Sequence, residues 1–218
     1  MGVTLHYRGT LDHPDRLPAL CDELAEVAQA MGWSAVRIDD DYDAPLDARL
    51  NHDSSGARID GNVGLKGIVL TPDDGSESLW FCFDREGQLR SLLGQILILD
   101  GTLKPEKSWA FTKTQFSSPE RHVWIVGLLR YVQKNYVSDL EVRDEGGYWD
   151  TGDLAELRRR MNLIHGMIAD MTTALSAPRF AHLAGQSAED VVAAIERLAQ
   201  ELHRPSADAN PSDNPDRR

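Results

Sequence analysis

The spacing of apolar residues changes repeatedly along this chain, and each change predicts an element. Val3 to Thr10 reads as a strand, and Asp12-His13-Pro14-Asp15 then offers a cap and a Pro suited to a first helical turn. Leu17, Leu20, Leu24, Val27 and Met31 recur three and four residues apart, which places them on one face of a helix, and Gly32 suits its stop. A second short strand is predicted over Ser34 to Ile38. From Asp39 to Gly64 the chain is polar and keeps no period, so it reads as a long loop.

From Leu65 the character changes. The runs LKGIVL, SLWFCF, QLRSLLGQILIL and SWAFTKTQF are strand-like, and TPDDGS, DREG and DGTLKPEK between them supply turn residues, which together predict an antiparallel meander. In the third run Ile96 and Ile98 would face opposite to Leu97 and Leu99, so that run is expected to be a central strand apolar on both faces. Ser117-Ser118-Pro119-Glu120 has capping-box spacing and opens a helix carrying Ile125, Leu128, Leu129, Val132 and Tyr136. A strand over Leu140 to Arg143 follows, then the turn-rich DEGGYWDTGD. A long helix begins near Thr151, with Leu154, Leu157, Met161, Ile164, Ile168, Met171 and Leu175 in heptad spacing. After SAPRFAHLAGQ a last helix should start at Ser187, with Val191, Ile195, Leu198 and Leu202 on one side.

The predicted class is therefore α+β: a mixed, mainly antiparallel sheet in which two strand-helix-strand units bracket a β-meander, followed by C-terminal helices. The expected division is a sheet domain over 1–150, a helical pair over 151–203 packing on it or on a second copy, and a disordered tail over 204–218.

The two strand-helix-strand units echo one another. Aligning Arg8 with Lys113 also brings Pro14 onto Pro119, Asp15 onto Glu120, Arg16 onto Arg121 and Leu20, Leu24 and Val27 onto Ile125, Leu129 and Val132. Shared caps and core spacing produce such an echo with or without duplication. If each unit is a right-handed crossover, its strands are parallel and end at one rim. That rim would gather Arg8 and Lys113 with Asp39, Asp40, Asp144 and Glu145, an expected ligand site whose alternative is a set of ordinary ion pairs.

Composition narrows the partners. A formal net charge of −12 opposes loose binding to phosphate backbones, so no nucleic acid is expected. The charge suits solubility, a basic protein partner or a cation. Cys21 and Cys82, without ligand spacing, are expected to be buried reduced thiols. The N-terminus lacks signal-peptide features and no apolar run reaches membrane-spanning length, from which a cytoplasmic protein is expected.

The segment Asp144 to Asp153 carries four carboxylates, two aromatic residues and three glycines. Asp144 or Glu145 could act as a base with Lys113 beside it, and Tyr148 and Trp149 could bind a ligand flatly. Equally, the glycines make a turn, the aromatics pack on the core edge, and Asp150, Thr151 and Asp153 cap the next helix. The segment fits neither a phosphate loop nor GxGxxG. Together with KTQF it resembles a family of uncharacterised bacterial proteins over residues 105 to 175, a resemblance that implies no activity, ligand or catalytic residue.

Asp39, Asp41 and Asp43 have the opening spacing of a calcium loop, but Ala44 and Leu50 stand where Gly and Glu are needed. The histidines show no HxH or HExxH pairing, so no metal and no cofactor is expected. Arg158-Arg159-Arg160 reads as a solvated helix face, and Met161, Met167 and Met171 as packing.

Two functions follow. The first is a non-enzymatic binding or regulatory module that meets a protein partner, or a second copy through the C-terminal helices. The alternative is an enzyme that uses Asp144, Glu145 and Asp39 beside Lys113 or Arg8 on a small polar substrate.

Overall fold

The computed structural model describes residues 3–53, 56–72 and 75–175. The chain divides into two compact units, Met1–Ile164 and His165–Arg218. The last predicted helix from Ser187 and the tail lie outside the described residues.

The first unit is α+β. Strand β1 (Thr4–Arg8) is the middle of a three-stranded antiparallel sheet, between β8 (Ala110–Lys113) and β9 (Glu141–Asp144). Alternation along β1 sends Leu5 and Tyr7 into the core and leaves His6 and Arg8 on the other, wetter face. A four-stranded antiparallel sheet follows the order β2 (Ser34–Asp39), β5 (Lys66–Thr71), β6 (Leu79–Phe83), β7 (Leu89–Arg90). The sheets meet where Leu89 donates its N–H to Gly9 (2.9 Å) and Leu11 donates to Gly87 (2.8 Å).

Helices α1 (Leu17–Met31) and α3 (Pro119–Asn135) lie over these sheets. Leu20, Leu24 and Ala28 of α1 and Ile125, Leu129 and Val132 of α3 share one core with Leu5, Tyr7, Ile68, Leu70 and Phe81. Gly32 ends α1 in the left-handed conformation, as its position predicts. The cap of α3 is Ser118, one residue later than the capping-box spacing suggests; its hydroxyl accepts from the N–H of Arg121 at 3.1 Å. Asp12 caps nothing. Its carboxylate accepts from the N–H and hydroxyl of Ser138 and so ties the start of the chain to the turn before β9.

Three sequence expectations are corrected. The run QLRSLLGQILIL is not a central strand: β7 lasts for Leu89–Arg90, after which Ser91 caps α2 (Leu92–Leu99) by accepting from the N–H of Gly94. An unbroken apolar run fits a short buried helix as well as a strand, and the serine cap decides. The polar stretch from Asp39 to Gly64 holds a hairpin, β3 (Arg49–Asp53) with β4 (Gly56–Asp60). Its apolar signal is thin, because Leu50 and Ile59 stand opposite one another in the register.

The third correction concerns the rim. β1 and β2 lie in different sheets, and β1 runs antiparallel between β8 and β9. β8 and β9, joined by α3, therefore share a direction without pairing, and Lys113 and Asp144 do reach the same end. Arg8 falls at the opposite end, opposite Glu141, while Lys113 faces Thr4. Every pairing among the described residues is antiparallel.

After the one-turn helix α4 (Tyr148–Thr151), the heptad helix is α5 (Leu154–Leu175). Its first stripe residues, Leu157, Met161 and Ile164, are buried with Val3 and against Val123 and Tyr148, so this part of the stripe covers the chain's own body. No helix among the described residues is long and apolar enough to cross a membrane.

Candidate functional site

Asp144 ends β9 with a side chain wholly removed from solvent. One carboxylate oxygen accepts from the N–H of Gly146 at 2.7 Å, and the other accepts from the N–H of Trp149 at 2.8 Å and lies 3.1 Å from His122 Nε2. Burial alone would raise this carboxyl. The His122 bond and charge and the two backbone N–H groups outweigh it and hold Asp144 below the usual carboxylate range. An ionised carboxylate only accepts, so His122 Nε2 donates to it. On the ring's far side Nδ1 shares a hydrogen with Thr114 Oγ1 at 2.8 Å, and Thr114 Oγ1 lies 3.2 Å from the carbonyl of Val3.

Hydroxyl, imidazole and carboxylate thus stand in the order of a nucleophilic relay. Yet Thr114 and His122 are both 0% exposed, so no substrate reaches them. The network instead fastens β8, α3 and the loop after β9. Gly147 turns that loop with φ 78°, and a Cβ on Gly146 would sit 2.7 Å from Leu157 Cδ1. Tyr148 and Trp149 are half-buried and pack against the core, and Asp153 caps α5 by accepting from the N–H groups of Ala155 and Glu156.

The other predicted residues are dispersed. Glu145 is exposed, 3.7 Å from His6. Arg8 donates from one guanidinium nitrogen, Nη2, to both carboxylate oxygens of Glu141, each contact 2.8 Å, and stacks on Trp109, whose ring also takes Arg143. The N–H of Lys113 donates to Glu77 at 3.1 Å. Asp39 pairs with Lys66 at 2.8 Å in the other sheet. Of the proposed constellation, only Asp144, Glu145 and Lys113 share an end of one sheet, and Asp144 is sealed from the other two. Cys21 and Cys82 are free and buried. Among the described residues no group of three His, Cys, Asp or Glu could hold a metal ion.

A different feature has the shape of a site. Between α1 and α3 runs a groove of about 760 Å³, lined by Val27, Ala30, Met31, Trp33, Val123, Trp124, Gly127 and Leu128, with Glu23, Glu26 and Tyr131 at its polar margin. Each helix carries a second stripe beside the one it buries in the core: Glu23, Glu26, Val27, Ala30 and Met31 on α1, and Val123, Trp124, Gly127, Leu128 and Tyr131 on α3. Trp124 is 57% exposed, an unusual state for the largest apolar side chain. The Tyr131 hydroxyl donates to Glu23 across the groove and holds that carboxyl below its usual range. Sequence reasoning passed over this surface, although Trp124 next to the core residue Ile125 signals a second face.

The chain matches no protein-family model, no curated protein and no solved structure.

Proposed function

We propose that this chain is a non-enzymatic interaction module that holds a helical segment of a protein partner in the groove between α1 and α3. The observation that carries the proposal is the continuous apolar floor with Trp124 standing 57% exposed beside it. Exposed apolar patches of this kind mark interaction surfaces, and a trough between two helices suits a third helix. Covering the exposed part of one tryptophan is worth on the order of 2–3.5 kcal/mol, a sizeable share of a micromolar affinity.

The alternative, an enzyme using Asp144, Glu145 and Asp39 beside Lys113 or Arg8, needs those groups in one pocket. The buried network of Asp144 and the separate sheet of Asp39 weigh against it. A seam between two copies along the C-terminal helices would have to do without Leu157, Met161 and Ile164, which are already buried.

The test is amide chemical-shift mapping of the full chain with an amphipathic helical peptide whose polar face is uncharged. Shifts confined to residues 23–31 and 123–131, and lost in Trp124→Ser, are expected. No shifts, or shifts centred on the loop after β9, would overturn the proposal.

A further inference from the structure

Resting on that docking reading, we infer that the helix held in the groove carries Lys or Arg along one flank, set against Glu23 and Glu26, and packs closely into a notch at Gly127. The first observation is charge. The groove's lining includes the carboxylates of Glu23 and Glu26 and no Lys, Arg or His; a cation beside it, Arg121, stacks its guanidinium 5.4 Å over the ring of Trp33 at the α1 C-terminal end, away from Glu23 and Glu26 in sequence. The chain as a whole carries −12. A partner with an acidic flank would be repelled at short and long range alike, whereas a basic flank is drawn in and set in register by the α1 margin.

The second observation is Gly127 itself. It stands in the interior of α3, where glycine weakens a helix relative to alanine, yet a Cβ built there would meet nothing within 4 Å. No neighbour in the described chain requires the glycine. Trp124 lies one turn before it and Tyr131 one turn after, so two aromatic side chains flank a gap in the helix surface. A gap between aromatic posts admits either the backbone of a crossing helix or one large side chain from it. The lined stretch spans residues 23–31 and 123–131, about 12 Å of helix at 1.5 Å per residue, which fits two to three turns of the partner.

The test uses the full chain and three helical peptides of equal length in titration calorimetry: an apolar stripe with Lys on one flank, the same stripe with Glu there, and the Lys flank with the stripe replaced by Ser. The Lys-flanked amphipathic peptide is expected to bind at least about tenfold tighter than the Glu-flanked one, with Glu26→Lys erasing most of the difference. Gly127→Leu, whose Cβ has no neighbour within 4 Å and whose branched end would occupy the notch, should weaken that peptide at least about tenfold while the unfolding midpoint is kept or raised.

Equal binding of the Lys- and Glu-flanked peptides would overturn the charge assignment and leave the docking reading intact. Equal binding of the stripe-free Lys peptide would reduce the attraction to net charge and overturn both. Failure of all three peptides to bind would also overturn both. Self-association of the chain that Gly127→Leu abolishes would assign the groove to a second copy and overturn the inference of a basic partner.

Discussion

Replacing Asp144 by alanine should be among the most damaging single changes in the first unit, although the residue sits beside a surface loop. The carboxylate serves three donors: the N–H of Gly146 (2.7 Å), the N–H of Trp149 (2.8 Å) and His122 Nε2 (3.1 Å). Each buried donor left without an acceptor costs about 1–3 kcal/mol, less than additively because the loop can relax. Taken over the three donors and discounted for that relaxation, the whole network is worth about 3–5 kcal/mol. For a domain of this size the loss corresponds to a fall in Tm of about 6–20 °C. Asp144→Asn keeps one acceptor oxygen and should fall between the variant and the parent.

Urea unfolding followed by tryptophan fluorescence gives the free energies. Glu145→Ala, which removes the exposed neighbouring carboxylate, should stay within about 0.5 kcal/mol of the parent. If Asp144→Ala and Glu145→Ala cost the same, the buried network is not what fastens this loop, and the argument from its geometry fails.

The same network predicts a pH dependence. The Asp144 carboxyl is lower in the folded chain than its ordinary value of 3.8, so its contribution is complete above that value and is lost as pH falls through the folded-state pKa. The stability gap between the parent and Asp144→Asn should therefore hold from neutral pH to about 5 and narrow in unfolding curves below about 4. Burial raises both thiols and pushes Cys82 up to about 12, leaving a thiolate fraction on the order of 10⁻⁴ for Cys82 at pH 8. An aromatic disulfide reagent should accordingly label both cysteines promptly in urea and Cys82 hardly at all in the folded chain. Gly127→Ala should raise stability by about 0.5–1 kcal/mol in the urea assay, since it gains helix propensity without a clash; a loss would show that the notch is filled within the chain.

What the sequence disclosed depended on whether one local period could carry the information. Helices α1 and α3 were legible because Leu20 and Leu24, and Ile125, Leu129 and Val132, repeat at helical spacing, with Gly32 marking the end of α1 and a serine the start of α3. The strand β1 was legible for the same reason, but its neighbours were not. Pairing partners are set by which distant strands fit beside Leu5 and Tyr7, and the insertion of β1 between β8 and β9 moved Arg8 away from Lys113. Asp144 lies in the segment that the sequence marks as a candidate site, yet its contacts depend on His122 and Thr114, residues that share no motif with it.

The groove shows the same limit. Its two walls are stripes about a hundred residues apart, and each alone looks like the ragged edge of a core-facing helix. Helical spacing puts Val27 and Met31 on the core face of α1, and the fold leaves them at the boundary between core and groove. Only when both helices lie on one core do those edges face each other and leave Trp124 without a covering neighbour among the described residues. A helix that needed nothing beyond its own core would gain by placing alanine at 127 and a polar residue at 124. Glycine at 127 and tryptophan at 124 both run against the helix's own stability and solubility, and that double cost is what the proposed docking surface rests on.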